Sequence, residues 1–180
     1  MKEIIFYGRG GQGAVIASRL LAVAAFMEGK IVQAFPFFGV ERRGAPVSAY
    51  TRISNTAIRK RTPINKGDYA LVLDPTLLEL PAVKRDLKDG ARVIINTTGN
   101  VINYALSKKF KVSGFDASSI ALNHSLGSES APIVNTSMLG AFSKLTGEIT
   151  LKSLTKAIKE NIYIKQKENI DAAIDAYEKA

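Results

Sequence analysis

A glycine-rich stretch near the amino terminus has the residue types and spacing that bind an anion. Six residues form it, and their glycines fit the pattern G-x-G-x-x-G: Gly8, Arg9, Gly10, Gly11, Gln12 and Gly13. Glycine permits positive φ angles and lets backbone N–H groups approach a ligand closely. These N–H groups and the positive end of the following helix dipole form a site suited to phosphate. A tight strand-to-helix turn without a ligand explains the same pattern equally well.

The segment after the glycine stretch argues against a dinucleotide at this turn. In dinucleotide-binding domains, an Asp or Glu at the end of the second strand holds the ribose hydroxyls. Here the second predicted strand, residues 31–35, carries Gln33, and the first acidic residue after it is Glu41. The glycine turn is therefore predicted to bind a phosphate group or the backbone of a partner protein.

A second candidate segment, residues 35–46, combines aromatic and charged side chains. Its three phenylalanines stand beside Glu41, Arg42, Arg43 and Gly44. Two prolines and two glycines in the segment exclude a regular helix. A surface loop normally avoids so much aromatic area, so either the phenylalanines pack inward or the loop lies against another surface.

The rest of the sequence has few groups suited to redox or hydrolytic chemistry. The absence of cysteine excludes disulfides and cysteine-ligated iron–sulfur clusters within this chain. The single histidine, His124, argues against a histidine-rich metal site or a Ser-His-Asp triad and is interpreted as a surface or helix-end residue. No catalytic residue and no metal site are predicted.

The chain is basic, with 25 Lys and Arg residues, 16 Asp and Glu residues and a net charge of +9. This excess favours acidic partners, although a lysine-rich solubilising surface gives the same balance. The basic triplet at residues 59–61 is interpreted as a solvated hairpin tip in preference to a binding patch. No nucleic-acid motif accompanies these residues, so nucleic-acid binding is the least favoured function.

The predicted elements place the glycine turn between a strand at residues 4–7 and a largely buried helix at residues 14–27. Asp74 follows a buried strand, where it is either a site residue or the cap of a helix that starts near Thr76. A turn is predicted at residues 88–90. The further strands are predicted at residues 47–53, 56–62, 69–73, 91–96 and 110–115.

The last third of the chain is predicted to be helical. Helices are expected at residues 117–126 and 136–145, the latter with Asn135 as its N-cap and Gly147 as its stop. The next helix is expected to bury a face that contains Leu151, Leu154, Ala157 and Ile158. The last helix is expected to bury a face that contains Ile170, Ala173, Ile174 and Tyr177.

These elements predict one domain over residues 1–180 with a Rossmann-like, three-layer α/β fold. The sheet is expected to be mainly parallel, with an antiparallel excursion at residues 47–61 and helices on both faces. No apolar run of about 18 residues is free of charge, which argues against a membrane span. The amino terminus has no signal-peptide pattern, so a cytoplasmic location is expected.

Three stretches together carry a resemblance to a known family. They are residues 8–13, the Glu-Arg-Arg-Gly-Ala-Pro-Val loop at residues 41–47, and Asn-Thr-Ser-Met-Leu-Gly-Ala at residues 135–141. Their order and spacing resemble the gamma subunit of pyruvate:ferredoxin oxidoreductase and, more broadly, the gamma domain of 2-oxoacid:ferredoxin oxidoreductases. Residues 165–170 are also similar to the final helix of that family.

The resemblance implies that this chain is one subunit of a multi-subunit enzyme that is inactive without alpha, beta and delta-type partners. Thiamine diphosphate and the iron–sulfur clusters would lie in those partners, and ferredoxin would accept the electrons. The gamma domain would help to bind coenzyme A, whose phosphates suit Arg9, Arg42 and Arg43. Salt bridges between subunits are the alternative for these arginines. The isolated chain would be a candidate homodimer.

Two alternatives to a pyruvate enzyme remain open at this point. The Glu-Arg-Arg-Gly loop resembles the pyruvate branch of the family, but a 2-oxoisovalerate or indolepyruvate enzyme would use a similar subunit. A free-standing phosphate- or nucleotide-binding module is the other alternative, and the missing acid after the second strand counts against it.

Overall fold

The computed structural model describes residues 1–37, 44–99, 106 and 108–180. Its main strands are β1 (Lys2–Arg9), β2 (Ile31–Phe37), β3 (Pro46–Ser54), β4 (Gly67–Val72), β5 (Leu87–Asn96) and β6 (Lys111–Phe115). The two-residue strands β7 (Gly127–Ser128) and β8 (Ala131–Pro132) form a separate ribbon. The helices are α1 (Ala14–Met27), α2 (Pro81–Arg85), α3 (Ala117–Asn123), α4 (Asn135–Thr146), α5 (Leu151–Asn161) and α6 (Gln166–Lys179), with a 3-10 helix at Pro75–Glu79.

The six main strands form one sheet in the order β2-β3-β1-β4-β5-β6. Strands β1, β4, β5 and β6 are parallel, whereas β3 is antiparallel to both of its neighbours. The central parallel strands are continuous apolar runs because side chains cover both of their faces. The predicted α/β fold, with a mainly parallel sheet and an antiparallel excursion, is confirmed.

The two faces of the sheet are covered by helices of different lengths. One face packs against α1 and against α3 to α6, which form the larger hydrophobic core. Among the described residues, the opposite face is covered by the 3-10 helix, by α2 and by single apolar side chains such as Ile64 and Phe110.

The prediction of a second strand in the antiparallel excursion, at residues 56–62, was wrong. Residues 55–66 contain no strand and run beside the sheet, where the Thr62 carbonyl accepts a hydrogen bond from Arg52 at 2.7 Å. The physical reason lies in the strand order, because β3 already pairs with β1 on one side and β2 on the other. No free edge of β3 was left for a hairpin partner.

The predicted turn at residues 88–90 was also wrong, because these residues belong to β5. These residues are exposed and polar, as turn residues usually are, but β5 begins at Leu87 and includes them. The β4–β5 register shifts between Gly67 and Tyr69, and Gly90 adopts a left-handed φ of 77° within the extended segment.

Two helix ends differ from the prediction, and one agrees with it. Helix α3 ends at Asn123, three residues before the predicted end. Val134, rather than Asn135, is the N-cap of α4, because Asn135 already belongs to the helix. Gly147 ends α4 in the left-handed conformation, with φ 66°, as predicted.

Of the four residues predicted for the buried face of α6, Ala173 is buried, whereas Ile170, Ile174 and Tyr177 are half-buried. A Cβ atom on Gly140 of α4 would lie 2.2 Å from the Ala173 carbonyl oxygen, so these helices pack with their backbones unusually close. Ile170 and Ile174 are therefore displaced to the margin of the contact, where both are half-buried. The buried α6 residues are Asn169, Ala172, Ala173 and Ala176.

Candidate functional site

The glycine turn connects β1 to α1 at the carboxyl edge of the parallel strands. Gly13 is the N-cap of α1 and has φ 83°. A Cβ atom at this position would lie 2.6 Å from Asn135 Nδ2, so both the backbone angle and the packing require glycine. Gly11, with φ 105°, has open space around its Cα, so only its backbone conformation favours glycine.

Hydrogen bonds within the turn fix its shape. The Arg9 amide donates to Gln12 Oε1 at 2.8 Å, and the Gln12 amide donates to the Arg9 carbonyl at 3.0 Å. The Gly10 amide donates to the Ala45 carbonyl at 3.0 Å, and the Gly44 amide donates to the Gly10 carbonyl at 3.2 Å. Three amides of the glycine stretch therefore serve the fold, and the turn is joined to the end of the second candidate segment.

Arg9 holds three parts of the chain together. Its Nε donates to Asp74 Oδ2 at 2.7 Å, its Nη1 to the Gly44 carbonyl at 3.1 Å and its Nη2 to Thr76 Oγ1 at 2.7 Å. The Arg9 side chain is 35% exposed. A guanidinium carries five N–H donors, so two remain beyond these three contacts to meet an anion.

Asp74 is both a cap and a partner of Arg9. Its Oδ1 accepts hydrogen bonds from the Thr76 amide at 2.9 Å and from the Thr76 hydroxyl at 2.6 Å, which confirms the predicted cap. Burial raises the pKa of the carboxyl, but the hydrogen bonds from Thr76 and Arg9 outweigh it and hold the pKa below its usual range. Asp74 is therefore ionised at neutral pH and neutralises Arg9 in part.

A pocket of about 490 Å³ opens beside Arg9. One wall is the glycine turn with Gly44 and Asp74, and the other is the β7–β8 ribbon with the hydroxyls of Ser128 and Ser130. This ribbon could not be predicted from the sequence, because strands of two residues have no periodicity to detect. The lining residues are Arg9, Gly10, Gly11, Gln12, Gly44, Asp74, Gly127, Ser128, Ser130, Ala131, Pro132 and Ile133.

A larger groove of about 760 Å³ adjoins this pocket and shares Gly127 and Ile133 with it. Its walls come from α1, from the start of α4 and from the segment between α5 and α6. Apolar surface predominates in both cavities, but the described charged side chains that line the groove are Arg19 and Lys165, whereas the pocket has Arg9, Asp74 and two serine hydroxyls. The two cavities therefore offer different chemistry along one side of the molecule.

The structure brings only some of the predicted site residues together. The six residues of the glycine stretch and Gly44 lie in one neighbourhood, whereas Glu41, Arg42 and Arg43 lie outside the described residues. Thr76, predicted only as a helix start, is a hydrogen-bond partner of Arg9.

The described residues contain no cluster of three or more His, Cys, Asp or Glu side chains that could hold a metal ion. His124 is the C-cap of α3, and its Nε2 lies 3.3 Å from Asp175 Oδ2, which confirms its interpretation as a helix-end residue. Among the helices described, none is long and apolar enough to cross a membrane.

The fold and the site define a Rossmann-like α/β protein with an arginine beside a glycine turn, which is an arrangement suited to binding anions. The pattern of the pyruvate ferredoxin/flavodoxin oxidoreductase family matches residues 3–180. The chain belongs to this family and is a subunit of a 2-oxoacid:ferredoxin oxidoreductase, as the sequence resemblance predicted. Membership of this family does not favour the alternative that the chain is a free-standing phosphate- or nucleotide-binding module.

Relatives of known type agree with this assignment over nearly the whole chain. The sequence is 50% identical to the pyruvate/ketoisovalerate oxidoreductases common subunit gamma of Thermococcus litoralis, over 99% of this chain and 97% of that protein. The crystal structure of pyruvate oxidoreductase subunit PORC from Thermotoga maritima superimposes with a TM-score of 0.81 at 35% identity, covering 98% of this chain and 95% of that one.

A more distant structure shares the fold alone. It is the 2-oxoglutarate:ferredoxin oxidoreductase of Magnetococcus marinus with 2-oxoglutarate, coenzyme A and succinyl-CoA bound. The TM-score is 0.77 at 19% identity, and the match covers 99% of this chain but 30% of that one. The architecture described here therefore also occurs as one part of a longer polypeptide.

Proposed function

We propose that this chain is the gamma subunit of a pyruvate:ferredoxin oxidoreductase, also called pyruvate synthase. That enzyme decarboxylates pyruvate oxidatively, passes electrons to ferredoxin and forms acetyl-CoA. The observation that carries the proposal is the 50% identity, from end to end, to a gamma subunit that serves a pyruvate enzyme. Thiamine diphosphate and the iron–sulfur clusters belong in alpha, beta and delta-type partner subunits, and the complex works in the cytoplasm.

Within the complex, the pocket beside Arg9 is our candidate for the phosphates of coenzyme A. Its volume of about 490 Å³ falls within the range of small-molecule sites. Arg9 is held rigidly with two N–H groups to spare, and Ser128 and Ser130 add hydroxyl donors on the opposite wall. Coenzyme A is strongly anionic, so a fixed guanidinium beside glycine backbone is a suitable partner.

The Glu41, Arg42, Arg43 and Gly44 segment is proposed to contribute to the same site. The Gly44 amide donates to the Gly10 carbonyl, and the Gly44 carbonyl accepts from Arg9, so Gly44 lies at the site. Arg42 and Arg43 immediately precede it in the sequence. The coenzyme A bound in the Magnetococcus marinus enzyme makes this ligand a reasonable choice for the fold. Salt bridges from Arg42 and Arg43 to a partner subunit are the competing role.

The substrate of the complex has a second candidate. The Thermococcus litoralis relative is named as a subunit common to pyruvate and ketoisovalerate oxidoreductases. This chain would then serve two enzymes, with the 2-oxoacid chosen by other subunits. Comparing pyruvate with 2-oxoisovalerate as substrates of complexes assembled with each set of partner subunits distinguishes the two cases.

The proposal is tested by co-expressing this chain with the genes that neighbour its own. We expect a purified complex that contains thiamine diphosphate and iron and reduces ferredoxin only with pyruvate and coenzyme A. Arg42→Ala and Arg43→Ala should raise the KM for coenzyme A and leave the KM for pyruvate unchanged.

Three results would contradict these assignments. A solitary monomer that binds a dinucleotide with micromolar affinity would overturn the subunit role. A change in the KM for pyruvate alone would overturn the coenzyme A site. Complexes that lose subunits when Arg42 or Arg43 is replaced would assign those residues to subunit contacts. Sedimentation of the isolated chain tests the homodimer.

A further inference from the structure

The apolar groove of about 760 Å³ is bordered by unusually exposed hydrophobic side chains. Tyr163 and Ile164, which connect α5 to α6, are 85% and 81% exposed, and Ile16 on α1 is 48% exposed. Single exposed apolar residues are ordinary, but here they line one cavity together. Ile133 joins them at the boundary with the pocket beside Arg9.

The segment that carries Tyr163 and Ile164 is held firmly by its neighbours. The Ile162 amide closes α5 by donating to the Ile158 carbonyl at 2.9 Å. Gln166 Nε2 donates to the Lys159 carbonyl at 2.7 Å, and Lys165 Nζ donates to the Ser125 carbonyl. The backbone on both sides of the exposed pair is therefore anchored, which reduces the backbone entropy lost when a partner binds.

The charges around the groove indicate what kind of partner fits it. Arg19 and Lys165 line the groove, and none of the described residues that line it is Asp or Glu. Two cations beside apolar side chains complement a segment that offers apolar residues together with a carboxylate. An aromatic residue such as Tyr163, central to an apolar surface, is typical of the few residues that dominate binding energy.

We propose that this groove is the docking surface for an apolar, acidic segment of another subunit of the oxidoreductase complex. Tyr163 and Ile164 provide its apolar contacts, and Arg19 meets the carboxylate. The proposal rests on the chain acting as a subunit, but it is independent of where coenzyme A binds. If coenzyme A binds elsewhere, the proposed docking surface is unaffected.

A competition during assembly tests the surface. Tagged partner subunits are co-expressed with wild-type chain and a Tyr163→Ser/Ile164→Ser variant, and native mass spectrometry gives their ratio in the purified complex. We expect the variant to be depleted at least about tenfold relative to its soluble expression, as for central interface residues. Phe26→Ser is the matched control and should be incorporated equally, because Phe26 is 67% exposed but lies outside the groove.

Charge reversal tests the acidic character of the partner. Arg19→Glu should also be depleted, and the depletion should lessen at high salt because ions screen exposed charges. Arg59→Glu, which changes another exposed arginine away from the groove, is the control and should be incorporated like wild type.

A photo-crosslinking amino acid at position 163 identifies the occupant without relying on a variant that disrupts binding. The expected product joins this chain to another subunit, at a segment that contains apolar residues and Asp or Glu. Equal incorporation of the double variant and wild type would overturn the proposal. Crosslinks confined to a second copy of this chain, or no crosslink in the assembled complex, would overturn it as well.

Discussion

Two arginines near opposite ends of the paired strands β1 and β3 each donate three hydrogen bonds to other parts of the chain, but in different surroundings. Arg52 on β3 is 1% exposed and donates to Glu3 Oε1 at 2.9 Å, to Gln33 Oε1 at 2.8 Å and to the Thr62 carbonyl at 2.7 Å. Arg9 also donates three hydrogen bonds, yet about a third of its side chain remains open to solvent.

The difference separates an arginine that serves the fold from one that can serve a ligand. A buried guanidinium must be paired, because removing it from water costs several kcal/mol. Arg52 meets this condition with Glu3, and its guanidinium also lies over the Phe35 ring at 5.4 Å. Arg9 keeps contact with the pocket, so its guanidinium can gain a partner without first losing one.

Replacing Arg52 is expected to have the largest effect on stability. Arg52→Leu leaves the Glu3 carboxylate buried, and the one cation that then remains near it among the described residues is the exposed Lys60 amine, at 3.8 Å. We expect the free energy of unfolding of the isolated chain, measured in urea, to fall by about 3–5 kcal/mol. The double variant Glu3→Leu/Arg52→Leu should recover much of this loss. If the free energy of unfolding fell by less than about 1 kcal/mol, the Glu3–Arg52 pair would contribute no more to stability than a surface ion pair.

Replacing Arg9 should affect binding more than stability. Arg9→Ala removes a partly exposed ion pair, so we expect the free energy of unfolding to fall by about 1 kcal/mol or less. In the assembled complex, the KM for coenzyme A should rise about tenfold, as for the loss of one charged hydrogen bond. Arg9→Lys, which keeps the positive charge but lacks the planar guanidinium with its several N–H donors, should give an intermediate KM. An unchanged KM with a large loss of stability would make Arg9 equivalent to Arg52.

The smallest expected effect concerns the acidic partner of Arg9 and its dependence on pH. The pKa of Asp74 is lowered in the folded chain, since its hydrogen bonds outweigh burial. Its stabilising contribution is therefore present above the unfolded pKa of about 4 and is lost as pH falls through the folded pKa. Asp74→Asn should lower the free energy of unfolding by less than about 1 kcal/mol at neutral pH, because solvent screens the pair.

Thermal unfolding of wild type and Asp74→Asn at pH 7 and near pH 3 checks this prediction. The difference in Tm should shrink at the lower pH, where the wild-type carboxyl begins to gain a proton. A difference that is the same at both pH values would assign the effect to the altered cap of the 3-10 helix and not to ionisation.

Local patterns predicted the elements that depend on neighbouring residues. The strand, glycine turn and helix at the amino terminus follow from β-forming residues, glycines and an apolar helix in sequence. Gly147 likewise ends α4 as its conformational freedom predicts. The cap formed by Asp74 was predicted because its partner, Thr76, is two residues away.

Contacts between distant residues could not be read from the sequence. Arg9 and Asp74 are 65 positions apart, and no periodicity indicates that they meet. The strand predicted at residues 56–62 failed because β3 is enclosed by its neighbours, which is a property of the strand order. The buried face of α6 depends on the absence of a side chain at Gly140, on a different helix.

The hydrogen bonds that join Gly10 to Gly44 and Ala45 also make the position of the site depend on the register between β1 and β3. The β1–β3 ladder runs from Lys2 opposite Ile53 to Arg9 opposite Pro46, and the Gly10 bonds continue it directly. The same antiparallel pairing that joins β1 to β3 therefore holds the glycine turn in place. A one-residue slip in that register would misplace Arg9 even if every loop residue were intact. Changes in strand pairing far from the pocket would then alter binding by displacing Arg9.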